Sequence, residues 1–265
     1  MHEAIDVSVM KGVSAEVLCN RFSEQGWETA NVNVPMEREL TVYVNLRELV
    51  TILCTPDKLN YLVLGFLYSE GIISSMKDIV MMRVCDEESE VDVRLVNPDF
   101  ELPTKRRLTS GCGGGAAFRT EGQKVVSDLE VTPMEVLSLM KRLQEEMDLY
   151  RLSRGVHASA LADRKSLLVV AEDIGRHNTL DKIQGECLFK GLSTGNCLLL
   201  STGRISSEML LKAARMQVPV IVSRHSPTGS AVALARDLGI ALVGRVRGDR
   251  LSVYSHPKRL GCPAN

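Results

Sequence analysis

Aromatic side chains are scarce in this 265-residue chain: one Trp, five Tyr and five Phe make up only 4% of it. Any core it builds must therefore be aliphatic. Low-complexity tracts are missing as well, and with 45% hydrophobic and 25% charged residues the composition is that of a folded protein, long enough for one large domain or two modest ones. Neither sign of charge is in excess. A net charge of −1 leaves no broad basic face to grip nucleic acid, so any anion site is local. No apolar run approaches membrane-spanning length, and "MHEAIDVSVMKGVSAEVLC" at the start lacks a basic region followed by an apolar one. The expectation is a cytoplasmic protein with no membrane partner.

Cysteine is present but unpaired in pattern. Seven residues at irregular spacing (Cys19, Cys54, Cys85, Cys112, Cys187, Cys197 and Cys262) form neither a disulfide framework nor a zinc quartet. Cys54 and Cys197 lie in strand-like runs and Cys187 in a helix-like one, which makes each a small buried hydrophobe.

Periodicity divides the chain. Residues 1–35 show no clear period and read as an irregular lead-in. "ELTVYVNLRELVTILCT" reads as two strands around a turn near Asn45. A helix follows over "TPDKLNYLVLGFLYSEGII", with Thr55 as N-cap, Pro56 at its first position and Gly71 as its stop. "DIVMMRVCDEESEVDVRLV" adds a second strand pair, so residues 36–107 form a small α+β domain of ββαββ order. Residues 108–130 read as a glycine-rich loop and linker. In residues 131–265 a helix capped by Thr132 and Pro133 precedes three strand–loop–helix units and a hairpin turning at Gly248–Asp249, the grammar of an α/β domain.

The loops after the three strands, "EDIGRHN", "STGRISS" and "SRHSPTG", each carry Arg and Gly. At the carboxyl edge of a sheet they would line one anion-binding crevice, in which Arg176, Arg204 and Arg224 neutralise charge and Ser201, Thr202, Ser206 and Thr228 donate hydrogen bonds. A phosphorylated ligand suits it. The competing reading is that these residues are helix caps and surface arginines. "EDIGRHNTLDK" concentrates Glu172, Asp173, Arg176, His177, Asn178, Asp181 and Lys182, and a self-satisfied salt-bridge network is its alternative. His157, in "GVHASAL", has small neighbours that permit close approach.

Cys112 sits in "LTSGCGGGAAF", between Gly111 and Gly113, Gly114 and Gly115, where no side-chain wall shields the sulfur. Lys105, Arg106 and Arg107 lie upstream and favour its thiolate. The plain alternative is a linker that happens to hold a cysteine.

Together "GFLYSEGII", "SGCG", "GVHASAL", "EDIGRHNTLDK", "STGRISSEM" and "VYSHPKR", in this order, resemble the FdhD family of formate dehydrogenase accessory proteins, from about Leu40 onward. The resemblance implies a sulfurtransferase: Cys112 accepts sulfane sulfur as a persulfide from a cysteine desulfurase and passes it to the molybdenum cofactor, in its bis(guanine dinucleotide) form, before insertion into formate dehydrogenase. It also implies a homodimer, a second domain resembling the cytidine deaminase fold, and cofactor contacts at Leu251, Ser252, Val253, Tyr254, Ser255 and His256, beside Arg176, His177, Arg204 and Ser201. Two departures stand out. Gly115 occupies the place of the second cysteine in the family's Cys-x-x-Cys, which keeps open the alternative of a cofactor-binding chaperone that moves no sulfur. Ser159 replaces the deaminases' catalytic glutamate, and their later cysteine pair is missing, so no resident metal is expected.

Overall fold

Two-residue turns and short loops set the strand pairings. In the computed structural model the described residues are 12–85, 89–99, 107–108, 116–117 and 123–262. Cys112 and its glycines lie outside them.

The chain opens on a hairpin, β1 (Ser14–Ser23) and β2 (Gly26–Pro35), in register from Ser14 opposite Pro35 to Ser23 opposite Gly26. The irregular lead-in expected through residue 35 is thus corrected over 14–35. This hairpin has solvent on both faces, and Leu18, Phe22 and Trp27 are all exposed. Without a core on one side, the alternation that marks a strand in sequence was never imposed.

Next come β3 (Arg38–Val44) and β4 (Arg47–Cys54), joined by Asn45 and Leu46 at φ 48° and 68°. That is a type I′ turn. Helix α1 (Leu59–Ser69) is followed by β5 (Ile79–Cys85) and β6 (Glu90–Leu95), and the four strands order as β4-β3-β6-β5. The ββαββ order matches the sequence reading, but α1 starts a turn late. Thr55 does not cap it: its N–H donates to Asp173 Oδ2 at 3.1 Å and its hydroxyl accepts from the Ile174 N–H at 3.1 Å. A tertiary contact has taken the group that a local cap would use.

A two-residue pair, β7 (Arg107–Leu108) and β8 (Ala116–Ala117), is antiparallel, and the residues connecting its strands include Cys112. Helix α2 (Pro133–Glu146) begins as predicted, with the Thr132 hydroxyl accepting from the Glu135 N–H at 3.2 Å and the Glu135 carboxylate accepting from the Thr132 N–H at 2.7 Å. After α3 (Asp148–Ser153) the elements are β9 (His157–Ala162), β10 (Leu167–Asp173), α4 (Arg176–Lys190), β11 (Leu198–Ser201), α5 (Ser207–Arg215), β12 (Val220–Ser223), α6 (Gly229–Leu238), β13 (Ala241–Arg247) and β14 (Arg250–Val253).

The last six strands form one mixed sheet, β10-β9-β11-β12-β13-β14. β11, β12 and β13 pair in parallel, and β9 is antiparallel to both its neighbours, so β10 runs with the parallel group. Four carboxyl ends therefore meet at one edge, joined there by the start of β9 and the turn into β14. Helices α4, α5 and α6 cover one face through Ile183, Met209, Leu210 and Ala235. Helix α2 covers the other with Val136, Leu139, Met140 and Leu143. Fully burying each such side chain contributes about 1.5–3 kcal/mol, so this aliphatic core makes good the shortage of aromatics.

The smaller sheet joins this body through α1, which crosses α4 at glycines. A Cβ on Gly65 would lie 1.8 Å from the Asp181 carbonyl oxygen, and one on Gly185 would lie 1.9 Å from that of Tyr61. The two backbones touch because neither residue has a side chain. Behind the contact Lys182 Nζ sits 2.7 Å from Asp173 Oδ2 and Lys212 Nζ 2.6 Å from Asp181 Oδ1, and the same two carboxylates accept across it from the Thr55 N–H and the Ser69 hydroxyl. Among the described residues no helix is long and apolar enough to cross a membrane.

Candidate functional site

Strand direction decides what gathers at the carboxyl edge. His157 opens β9 opposite Asp173, the last residue of β10, and Ser159 pairs with Ser201 at the end of β11. Arg224 and His225 follow β12, while Arg245, Arg247 and Arg250 flank the closing turn. Two adjoining cavities result.

The larger, about 960 Å3, is lined by Arg224, Arg245, Arg247 and Arg250, with Pro133, Met134, Leu137 and Leu251 as its apolar wall and Ser226 and Ser252 at its rim. The register of β13 against β14 shifts between Gly244 and Arg247, and Arg245 adopts φ 55° there. Such a bulge re-aims a side chain at the cost of local strain. Four guanidiniums around one cleft, balanced among the described residues of its lining by the exposed Asp249 alone, make a site for a multiply charged anion. The apolar wall suits a flat ring attached to it.

The smaller cavity, about 290 Å3, shares Arg224 and His225 with the first and adds His157, Thr202, Arg154 and Tyr150. Thr202 Oγ1 accepts from the Ala158 N–H at 3.0 Å, which leaves its own O–H to donate elsewhere. Gly203 holds His157 and Arg176 together: a Cβ there would lie 3.1 Å from Arg176 Cβ and 3.5 Å from His157 Nδ1. Burial, then the charges of Arg176 and His225, push the His157 imidazole below its ordinary value, so it is neutral at pH 7.

Other residues singled out in the sequence fall elsewhere. The Ser201 hydroxyl is buried, accepting from Ser159 Oγ and from the Gly203 N–H, each at 3.1 Å. Ser206 and Thr228 are N-caps of α5 and α6. Arg204 is exposed and lines neither cavity. Leu251 and Ser252 border the large cavity, whereas Val253 and Tyr254 pack against the two helical layers. Ser255 is buried, donating to the Ile240 carbonyl at 2.7 Å and accepting from the Leu242 N–H at 3.0 Å. His256 precedes the final turn, Pro257–Leu260, with its Nε2 3.1 Å from the Arg236 carbonyl of α6.

Within "EDIGRHNTLDK" the self-satisfied network accounts for most of the polar groups. Asp173 takes hydrogen bonds from Thr55, Gly175 and Asn178 besides its ion pair with Lys182. Glu172 accepts from the N–H groups of Leu149 and Tyr150, anchoring α3.

His177 lies between α4 and α5, its Nε2 3.2 Å from Glu208 Oε2 without the alignment of a hydrogen bond. Burial, helped by the charges of Lys212, Arg176 and His157, pushes its value down from 6.5 to about 3. The unfolded chain then takes up this proton more readily than the folded one. Stability is therefore fullest above pH 6.5 and is lost as pH falls toward 3. Urea unfolding of the wild type should lose ~1–2 kcal/mol between pH 6.5 and 5 on this account, and His177→Gln should flatten that loss.

Sequence reading missed Arg245, Arg247, Arg250, His225, Arg154 and the apolar wall. The signal was present in "VGRVRGDRLS", where Arg at alternate positions of a strand shares one face. Cys54, Cys187 and Cys197 are the buried hydrophobes that their strand-like and helix-like runs predict: burial pushes the Cys54 and Cys187 thiols up to about 12 and raises that of Cys197.

The sequence profile of the FdhD/NarQ family matches residues 35–261. The chain is 40% identical over 247 residues to the sulfur carrier protein FdhD of Bacillus subtilis (strain 168), covering 89% of this chain and 94% of that one. It is 38% identical over 233 residues to the sulfur carrier protein FdhD of Staphylococcus aureus (strain Newman), covering 84% and 88%. Its fold is similar to the crystal structure of a putative formate dehydrogenase accessory protein from Desulfotalea psychrophila, with a TM-score of 0.80 at 27% identity over 94% of this chain and 99% of that one. With the match running through both sheets and the arginine-lined edge, this chain belongs to the FdhD/NarQ family.

Proposed function

We propose that this protein is a sulfur carrier for the maturation of formate dehydrogenase, with Cys112 as the residue that bears the sulfur. In the loading step the Cys112 thiolate attacks the terminal sulfur of a persulfide on a cysteine desulfurase; a new S–S bond forms, the donor S–S bond breaks, and the donor cysteine leaves as thiolate. The acceptor substrate is the molybdenum cofactor in its bis(guanine dinucleotide) form.

The observation that carries this reading is the four-arginine cavity in a chain whose relatives bear the name sulfur carrier protein. Its residues fit a dinucleotide: Arg224, Arg245, Arg247 and Arg250 suit a pyrophosphate, and Met134, Leu137 and Leu251 offer a surface for a ring. The sheet of residues 157–253, with helices on both faces, supports a likeness of the second half to the cytidine deaminase fold. A homodimer in the cytoplasm is part of the same reading.

Mass spectrometry of the intact protein after incubation with a cysteine desulfurase and cysteine tests it. One added sulfur atom is expected on the wild type and none on Cys112→Ala; an unmodified wild type would overturn the carrier role. For the cavity, Arg247→Ala and Arg250→Ala should each weaken binding of guanosine diphosphate about tenfold at low salt, less at high salt, by calorimetry. Unchanged affinity in both would remove the cavity from the proposal.

Gly115 favours a second reading, in which the protein holds the cofactor and hands it on without moving sulfur. On that reading Cys112→Ala still supports formate dehydrogenase, while Arg176→Ala or His177→Ala does not.

A further inference from the structure

The sequence motif "GVHASAL" places a histidine that the nucleotide cavity does not use. His157 instead faces the smaller cavity of about 290 Å3, whose wall of Arg224 and His225 is also a wall of the larger one. We infer that this smaller cavity is a subsite for a small sulfur anion, the terminal sulfur of a persulfide or free hydrosulfide, held by His157, Thr202, Arg154 and Arg224 beside the bound nucleotide. The inference rests on the sulfur-carrier reading and adds to it the place where the sulfur is held.

Charge and size separate the two cavities. The larger one gathers four guanidiniums around a volume of about 960 Å3, a match for several phosphate charges. In the smaller one only two guanidiniums, those of Arg154 and Arg224, are joined among the described residues by two neutral donors, the Thr202 hydroxyl, with its proton free to give, and one N–H of the His157 imidazole, beside the Tyr150 ring and Val156. Burial and the neighbouring charges of Arg176 and His225 keep His157 neutral, so it donates without adding a full positive charge. The Arg154 guanidinium carbon lies 5.4 Å from the centre of the Tyr150 ring, a contact that places the cation at the cavity wall and leaves its N–H groups to donate. Two neutral donors, two arginines and polarisable walls suit a soft, sulfur-bearing anion better than a hard phosphate. The shared wall sets that anion next to the cofactor that is to receive it.

The probe is thiosulfate, titrated against inorganic phosphate at constant ionic strength into the full-length protein labelled with 15N-histidine. With five histidines in the chain, His157→Gln assigns the resonance. The expected result is a saturable shift of the His157 signal with thiosulfate, at an affinity at least about tenfold above that for phosphate, and an affinity for thiosulfate about tenfold lower in His157→Gln. A His157 signal that thiosulfate does not move, or that phosphate moves with equal affinity, overturns the subsite; the wild-type titration decides this even if the variant fails to fold. In a second arm the protein is loaded by a cysteine desulfurase and its mass recorded. Sulfur on Cys112 together with a shifted His157 signal supports the persulfide as occupant, and a shift produced only by added hydrosulfide assigns the subsite to the free anion. Sulfur on Cys112 with His157 unmoved in both cases defeats the subsite but leaves the carrier. No sulfur on Cys112 defeats the carrier, and the thiosulfate titration alone then decides for the pocket.

Discussion

Formate dehydrogenase from cells that carry only the Cys112→Ala protein is expected to lose activity by at least about a hundredfold, since a nucleophile removed from a covalent route has no substitute within its own machinery. The rest of the chain offers none. Gly115 stands where the family pattern has a second cysteine, and burial holds the thiols of Cys54 and Cys187 at about 12. Cys197 is buried and raised as well. The accessible thiols among the described residues are Cys19 on the hairpin, Cys85 at a strand edge and Cys262 near the end of the chain, and none of them lines the two cavities. The measurement is formate oxidation in extracts, normalised to the amount of dehydrogenase protein, with the Cys112→Ala protein itself shown to be soluble. Activity within a few-fold of wild type would remove Cys112 as carrier and favour the chaperone reading.

The other large effect is on stability. Asp173→Ala should destabilise the protein by about 3–5 kcal/mol, because it strands the ammonium of Lys182, the largest fully buried side chain among the described residues. It also takes the acceptor from three N–H groups, those of Thr55 and Gly175 and one of the two on the Asn178 amide, whose Nδ2 keeps its bond to the Leu53 carbonyl. Lys182→Met should cost less, since those three donors still solvate the remaining carboxylate while the lost ammonium had only the Thr55 and Glu172 carbonyls as further partners. Urea unfolding at pH 7 gives both values. An Asp173→Ala protein within 1 kcal/mol of wild type would mean that this network does not join the smaller sheet to the larger one.

Both results turn on how "EDIGRHNTLDK" is used. Its density of polar groups is plain in sequence and was open to two readings, a ligand site or a network closed on itself. What decides for the network is Thr55, whose N–H reaches Asp173 across 118 positions of chain, and Ser69, whose hydroxyl reaches Asp181 across 112. No local pattern carries such a pairing. The same competition explains why Thr132 caps its helix as expected while Thr55 does not: the first finds its partner three residues away, and the second is claimed by another element.

The arginines of the large cavity show the reverse case. "VGRVRGDRLS" is legible as a hairpin, and its turn lies where expected, but nothing local marks Arg245, Arg247 and Arg250 as parts of a site. Their role depends on Arg224 from the neighbouring strand and on Pro133 and Met134 from a helix more than a hundred residues earlier.

By itself the sequence determined what local forces determine: the ββαββ order, the three strand–helix units, the capped start of α2, the closing hairpin, and the reduction of Cys54, Cys187 and Cys197 to packing residues. It also carried the ordered motifs that mark the family. Only the tertiary structure decided that residues 14–35 are a hairpin, that α1 meets α4 at two glycines, and that four arginines and His157 surround adjoining cavities. Periodicity and capping act within a turn or a strand and so leave their record in neighbouring letters. A cleft or a buried ion pair is made by groups far apart in the chain, whose meeting is fixed by sheet order and helix crossing.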